Sequence, residues 1–186
     1  MEKIPEHAQK VFEGVVFDVY QWKQEMFDGS HRTFEMLKRR RSAVVFCVFD
    51  DKTILINHEE QPGKASFISL PGGGADTYDE LPLSVIQREL EEETGYTANM
   101  WKEVFVENNF PKLDWAIHYF VARDLQKIRE PRPMPSEKIE SHRVTLDEFL
   151  NLHREPLFRD KGMKYMMLRA QTDSVYRQEI ENILFK

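Results

Sequence analysis

The chain has 186 residues, with 26 lysines and arginines against 32 aspartates and glutamates, so its formal net charge is −6. That length suits one α/β domain with a buried core and a short terminal extension. The acidic balance argues against a partner such as long nucleic acid, because proteins that follow a phosphate backbone usually carry a basic face.

The cysteine content and the N-terminus indicate a cytoplasmic protein. The one cysteine, Cys47, lies in an apolar run and is expected to be a buried structural thiol. A chain with one cysteine has no disulfide framework, which fits a reducing cytosol. The first ten residues, MEKIPEHAQK, are charged and indicate neither a signal peptide nor a membrane span.

The N-terminal half predicts two pairs of strands. The stretches GVVFDVYQWKQEM and HRTFEMLKR flank an Asp28-Gly29 turn, which is a hairpin signal. SAVVFCVF and TILINHE predict a second pair around residues 50–52. Because SAVVFCVF is apolar along nearly its whole length, we expect that strand to be buried on both faces.

One helix is predicted between Pro82 and Gly95. Proline is favoured at the first helical position and glycine just past the last one. Leu83, Ile86 and Leu90 recur at spacings of three and four, which predicts an apolar stripe that faces the core.

The C-terminal half predicts further strands, a loop and two more helices. KEVFVENNF and WAIHYFVARDL are typical of strands, and the three prolines of EPRPMPSE predict an irregular loop. Thr145 is the expected N-cap of a short helix. A last amphipathic helix is predicted over much of 161–184.

Glutamates are concentrated in the helix that begins near Pro82. At 100° per residue, Glu89, Glu92 and Glu93 fall within one arc beside the apolar stripe, while Glu91 points away and is expected to be plain surface. Like charges at helical spacing repel each other. Divalent cations such as Mg²⁺ would offset the repulsion because they bind oxygen ligands. Taken alone, the run fits a solvated acidic face better.

The residues upstream favour the metal-binding interpretation. The spacing of residues 74–95 resembles the signature of the Nudix hydrolase superfamily. It runs Gly74, five residues, Glu80, seven residues, and then the motif Arg88-Glu89-Leu90-x-Glu92-Glu93-x-Gly95. Only the last signature position, usually aliphatic, departs: it is Tyr96. The resemblance implies an α/β/α sandwich with a mixed central sheet in residues 42–186. An antiparallel strand extension in residues 1–41 would precede it.

The resemblance also implies a metal site and a reaction. Its metal ligands would be Glu89, Glu92, Glu93 and the carbonyl group of Gly73, holding magnesium (Mg2+), with manganese (Mn2+) as an alternative. Arg88 would hydrogen-bond Glu80 and lock the loop against the helix. The reaction would be hydrolysis of the pyrophosphate bond in a nucleoside diphosphate linked to another group.

The general base implied by the resemblance is either a glutamate of the signature helix or one on a later loop. Glu137, after the proline-rich loop, is the first loop candidate and Glu140 the second. An exposed loop acid with no role in catalysis is an equal alternative for both.

Features outside the signature resemble the Nudix branch that acts on ADP-ribose and nucleotide sugars. They are the N-terminal strands, the SLPGGG entry and the segment SEKIESHRVTLDEFL. This resemblance implies a homodimer formed through the N-terminal strands. Tyr20 and Trp22 could then stack on the substrate base, although both fit core or dimer-contact residues slightly better.

Two further segments are candidates for substrate contact. Glu60, with its neighbours Glu59 and Gln61, could line the site. Arg41, the last residue of the basic run KRRR, could contact phosphate, although a solvated strand start explains that run equally well.

Two other functions within the family stay open on the sequence. One is a Nudix hydrolase of another substrate class, such as damaged nucleoside triphosphates or RNA ends. The other is a domain that senses a nucleotide without cleaving it. The retained carboxylates argue against a pure sensor, because binding alone does not require a repulsive cluster.

Overall fold

The computed structural model describes residues 3–186, which form three layers: one helix, a central layer of strands, and three helices on the far side. The strands are β1 Gln9–Glu13, β2 Phe17–Glu25, β3 His31–Arg39, β4 Ser42–Cys47, β5 Ile54–Glu60, β6 Phe67–Ser69, β7 Gly72–Gly74, β8 Tyr96–Glu107, β9 Leu113–Asp114, β10 Ile117–Lys127 and β11 Lys138–Val144. The helices are α1 Pro82–Thr94, α2 Leu146–Asn151, α3 Lys161–Thr172 and α4 Ser174–Phe185, with a short 3-10 helix Leu152–Arg154 after α2. The predicted α/β/α architecture is confirmed. None of the helices within residues 3–186 is long and apolar enough to cross a membrane.

The N-terminal strands form a separate sheet with the order β1-β2-β3-β9. β2 and β3 pair antiparallel from Phe17↔Arg39 to Glu25↔His31, which confirms the predicted hairpin. Gly29 has a φ of 79° in the turn, a conformation that glycine adopts at little cost. We call β1–β3 the N-terminal ribbon.

The central layer consists of the sheets β7-β4-β10-β8 and β11-β5-β6. The predicted pairing of SAVVFCVF with TILINHE is wrong, because these strands meet only at one bridge, Val48↔Ile54. Both edges of β4 are already occupied, by antiparallel β7 and by parallel β10. β5 therefore pairs with β6 and β11 instead.

The strand β4 is buried on both faces, as its continuous apolar sequence predicts. Ala43, Val45 and Cys47 pack toward α1, whereas Val44 and Phe46 pack toward the C-terminal helices. Side chains that alternate between two covered faces explain why the strand carries no polar stripe. Cys47 is a free, buried thiol, as expected.

The helix α1 has the predicted limits but a different apolar face. Pro82 is its first residue, and Gly95 closes it with a φ of 71° and an N–H donated to the carbonyl of Glu91. Leu83, expected in the core stripe, is 38% exposed, and Val85 is buried instead, beside Ile86 and Leu90.

The C-terminal segment contains two helices rather than the single helix predicted over 161–184. Asp173 leaves the helical conformation, and its side chain accepts hydrogen bonds from the backbone N–H groups of Val175 and Tyr176, both at 3.0 Å. An aspartate that caps a new helix start in this way ends α3 and begins α4. Thr145 caps α2 as predicted, in a reciprocal pair with Glu148.

Candidate functional site

The glycine strand β7 lies directly under the helix α1. A Cβ atom on Gly73 would collide with the carboxylate of Glu89, and one on Gly72 would collide with the carbonyl oxygen of Ala43. Only residues without side chains therefore let the helix, the turn and β4 approach this closely. The backbone of Gly73 and the carboxylate of Glu89 become neighbours as a result.

Arg88 connects the loop to the helix through several acceptors. Its Nη2 donates to the carbonyl of Gly74 at 3.1 Å, and its Nε lies 3.4 Å from Glu80 Oε1. Its Nη1 lies 3.0 Å from Glu89 Oε1 and 3.4 Å from Glu92 Oε2. This is the locking contact with Glu80 that the sequence predicts, extended to two of the helix carboxylates.

Glu93 is the most deeply buried carboxylate of the cluster, at 4% exposure. Its Oε2 accepts from the backbone N–H of Gly72 at 3.1 Å and from the side-chain amide of Asn57 at 3.0 Å. The carbonyl oxygen of Asn57 in turn accepts from the hydroxyl of Ser141 at 2.8 Å. Strands β5, β7 and β11 thus hold one side chain of α1 in place.

Burial and mutual repulsion raise the pKa of several carboxylates in the cluster. Burial, opposed by Arg88 and reinforced by Glu92 and Glu137, raises the pKa of Glu89 to about 7. Burial first, then the charges of Glu59 and Glu89, raises the pKa of Glu93 well above its ordinary value. Carboxylates held together in this way favour a cationic partner.

The donors of this cluster fit a hard divalent cation, because every candidate ligand atom is an oxygen. Among residues 3–186, no three acidic, histidine or cysteine side chains already converge as a ligand set. The guanidinium group of Arg88 lies between Glu89 and Glu92 instead. One arginine faces Glu80, Glu89 and Glu92 within 4 Å, so the cluster keeps an excess of negative charge.

Comparison with known proteins identifies the family. A NUDIX domain profile matches residues 38–166. The chain belongs to the Nudix family. It is a Nudix pyrophosphohydrolase similar to the ADP-ribose pyrophosphatase of Bacillus subtilis (strain 168), with 30% identity over 147 residues that cover 77% of this chain and 79% of that protein.

Two further comparisons cover nearly the whole Nudix chain. The methanol dehydrogenase activator of Bacillus methanolicus is 23% identical over 169 residues, which cover 87% of this chain and 91% of that protein. A crystal structure of an ADP compounds hydrolase superposes with a TM-score of 0.71 at 19% identity, over 94% of this chain and 98% of that one. The latter match shows the same fold.

The two loop candidates for the Nudix general base lie in different surroundings. Glu137 is half-buried, and its charge raises the pKa values of Glu59, Glu89 and Glu93, so it lies close to the cluster. The side chain of Glu140 is 84% exposed and lies 3.8 Å from His142. Glu137 therefore contributes to the raised pKa values of the signature carboxylates Glu89 and Glu93.

The strand β5 turns Glu59, and not Glu60, toward the signature helix. Glu59 is buried, accepts a hydrogen bond from Ser69, and adds to the repulsion on Glu93. The side chain of Glu60 is 66% exposed and pairs with Lys138 at 3.5 Å. Alternation along a strand separates the two neighbours onto opposite faces.

Of the basic run, Arg39 rather than Arg41 is half-buried. Its guanidinium lies over the ring of Trp115, 4.5 Å from the centroid, and within residues 3–186 no carboxylate approaches it within 4 Å. Burial, then the charges of Arg159 and Arg40, lowers the pKa of Arg39. Arg41 is exposed.

Tyr20 and Trp22 both lie within the N-terminal ribbon. Trp22 is 9% exposed, meets Phe34 edge to face at 5.9 Å, and donates its indole N–H to Gln24. Tyr20 is half-buried, with the ammonium group of Lys38 5.8 Å from its ring centroid. Neither approaches the signature carboxylates of its own chain through any hydrogen bond found in residues 3–186.

Sequence reasoning missed Asn57, Ser141 and Arg39. Asn57 follows three buried apolar residues in β5 and is itself buried, and a polar residue at a buried strand position signals a specific partner. Its partners, Glu93 and Ser141, are 36 and 84 residues away along the chain. No local pattern could have identified that connection.

Proposed function

We propose that this protein hydrolyses ADP-ribose to AMP and ribose 5-phosphate with Mg²⁺ as its metal ion. The observation that carries the proposal is that Glu89 lies against Gly73, Glu93 accepts from the N–H of Gly72, and Arg88 joins Glu92 to Glu89. The substrate class is supported by the similarity to an ADP-ribose pyrophosphatase over three quarters of the chain.

The side chains of the site would have separate roles in metal binding and positioning. Glu89, Glu92 and Glu93, with the carbonyl of Gly73, would hold the metal. Bound Mg²⁺ would offset the pyrophosphate charge and lower the pKa of a bound water. Arg88 would keep Glu89 and Glu92 apart from each other and tied to the loop.

Glu137 would act as the general base from the loop before β11. It would accept a proton from the attacking water, whose oxygen adds to one phosphorus while that phosphorus loses its bond to the bridging oxygen. A carboxylate outside the ligand set suits this role, because metal-bound carboxylates are weak bases. The influence of Glu137 on three buried carboxylates supports its proximity.

Positive charge for the substrate phosphates would come from Arg39, with Arg41 as the exposed alternative. Arg159 acts on the pKa values of both Arg39 and Glu59, which supports a position of these arginines beside the acidic cluster. A half-buried guanidinium without a carboxylate partner suits a phosphate or ribose-phosphate group.

We also propose a cytoplasmic homodimer formed through the N-terminal ribbon. The ribbon exposes several large apolar side chains, most of them in or next to the edge strand β1, and burial of such a patch favours association. They are Val11, Phe12, Val15, Val16, Phe17 and Leu37. In such a dimer Tyr20 and Trp22 would be candidates for contact with substrate held by the partner subunit, whereas Glu60 would be a candidate for contact with substrate in its own subunit.

A panel of substrates tests the proposal. ADP-ribose, GDP-mannose, UDP-glucose, diadenosine polyphosphates and oxidised dGTP would be assayed at fixed enzyme concentration with Mg²⁺, with Mn²⁺ and with EDTA. We expect AMP and ribose 5-phosphate from ADP-ribose and no turnover in EDTA. If another compound is hydrolysed faster, that compound is the preferred substrate in place of ADP-ribose. If no compound is hydrolysed, the proposed pyrophosphatase activity is refuted.

A further inference from the structure

A cavity lies on the opposite side of the central sheet from α1. It opens to solvent between β8 and β10 on one side and α3 and α4 on the other, and its volume is about 340 Å³. That size lies within the range of small-molecule sites in proteins, roughly 300 to 1,000 Å³. The lining residues are Phe46, Val104, Phe105, Glu107, Tyr119, Gly162, Met163, Tyr165, Met166, Tyr176, Ile180, Ile183 and Leu184.

One end of this cavity is anionic, because Glu107 lines it and Asp160 lies directly beside the lining residues Tyr119 and Gly162. The hydroxyl of Tyr119 donates to Asp160 Oδ2 at 2.7 Å and lies 3.4 Å from Glu107 Oε2. Asp160 also accepts the backbone N–H of Met163. Within residues 3–186, neither carboxylate has a lysine, arginine or histidine nitrogen within 4 Å, unlike Glu89 and Glu92 of the signature site.

Aromatic rings form much of the remaining wall. Phe105 and Tyr119 lie 5.4 Å apart between ring centroids and are inclined by 39°. Tyr165 adds a ring from α3, and Tyr176 adds a ring from α4 that already has the guanidinium of Arg169 over it, 3.9 Å from the centroid. Aromatic faces attract ammonium and quaternary ammonium groups, and the attraction grows when water is excluded.

From this combination we propose that the cavity binds a small organic cation, with its apolar body among the aromatic and methionine side chains and its ammonium group at Glu107 and Asp160. The apolar and the anionic parts of the cavity wall correspond to the apolar and the cationic parts of such a ligand. The apolar lining takes hydrocarbon, and the two carboxylates without a cationic partner take one positive charge. This proposal does not depend on the substrate of the signature site, which lies across the sheet.

Methyl NMR of the full chain would test the proposal with three probes of nearly equal size. With ¹³C-methyl methionine labels, Met163 and Met166 report on the cavity, and Met36 in the N-terminal ribbon is an internal reference. The probes are phenethylammonium, neutral 2-phenylethanol and anionic phenylacetate. We expect phenethylammonium to shift the Met163 and Met166 signals. Its Kd should be about tenfold lower than that of 2-phenylethanol, which corresponds to a difference in binding free energy of about 1.4 kcal/mol. Phenylacetate should leave them unchanged.

Matched variants separate the cavity from other acidic surfaces. Glu107→Gln should remove the preference for the cation, whereas Glu103→Gln, the same change at a residue of β8 that pairs with His118 outside the cavity, should keep it. Glu92→Gln, a change in the signature site, should also keep the preference for the cation, because the signature site lies across the sheet from the cavity methionines. Equal affinity for the amine and the alcohol, unshifted Met163 and Met166 signals, or equal effects of the variants at 103 and 107 would overturn the proposal.

Discussion

Glu93→Gln would remove one negative charge from the acidic cluster with almost no change of shape. The amide oxygen of glutamine can still accept from Asn57 and from the N–H of Gly72, so the fold should be kept. Three carboxylates, Glu59, Glu89 and Glu137, repel Glu93. A like-charge pair at helical spacing costs roughly 0.2–0.5 kcal/mol, and if that value is applied to all three neighbours the variant should gain about 1 kcal/mol of stability without metal. For a chain of this size, that gain raises the Tm by about 2–4 °C.

The same substitution should nearly abolish turnover. Removing one group that stabilises the charge of a transition state typically costs about 2.7–4 kcal/mol, a factor of about 10²–10³ in kcat. Stability and activity should therefore change in opposite directions, which a general disruption of the fold would not produce.

Glu91→Gln is the matched control because it makes the same change two residues away on the same helix. Glu91 faces away from the cluster and lies 3.1 Å from the Nε of Arg129. Loss of a half-exposed ion pair costs about 0.2–1 kcal/mol. We expect kcat within about twofold of the unaltered protein.

Both variants would be measured by steady-state release of AMP from ADP-ribose at saturating Mg²⁺, and by thermal unfolding in EDTA. The reasoning about charge is refuted if Glu93→Gln keeps more than half of the original kcat. It is equally refuted if Glu91→Gln loses as much activity as Glu93→Gln.

Three further substitutions test the supports of the site. Asn57→Ala should destabilise the fold by about 1.5–3 kcal/mol, because the buried carboxylate of Glu93 loses a hydrogen bond. It should also lower kcat. An unchanged midpoint of urea unfolding would contradict this prediction. Tyr78→Phe removes the 3.0 Å hydrogen bond to the buried Asp18 that ties the signature loop to the ribbon. We expect the free energy of unfolding in urea to fall by about 1–3 kcal/mol. Tyr20→Phe is the control and should change stability less. Trp22→Ala should cost about 3–5 kcal/mol of stability, and a raised KM at unchanged Tm would instead establish contact with the substrate base.

The signature region could be predicted from the sequence because its contacts are local. Arg88 reaches Gly74, Glu80, Glu89 and Glu92, all within 14 positions along the chain. A turn of glycines followed by one helix fixes most of that geometry by itself. The limits of α1 were predictable for the same reason, since Pro82 and Gly95 act on the backbone next to them.

The sheet order and the supports of the site depend on contacts between distant segments. β4 and β5 are adjacent in sequence and apolar, which predicts a hairpin, yet β10 from 70 residues downstream takes the edge of β4. The choice between Glu59 and Glu60 likewise depends on the register of β5, and a shift of one residue would exchange them.

The loop that carries Glu137 is held at both of its ends by the same elements that hold the carboxylates. At its start, the backbone N–H of Arg132 donates to the carbonyl of Glu92 at 2.7 Å. Beyond it, β11 is tied through Ser141 and Asn57 to Glu93. The last turn of α1 is therefore linked by hydrogen bonds to both anchors of the loop. As the proposed general base, Glu137 would be held by these contacts in a fixed position relative to Glu92 and Glu93, which is what proton transfer over a hydrogen-bond distance requires.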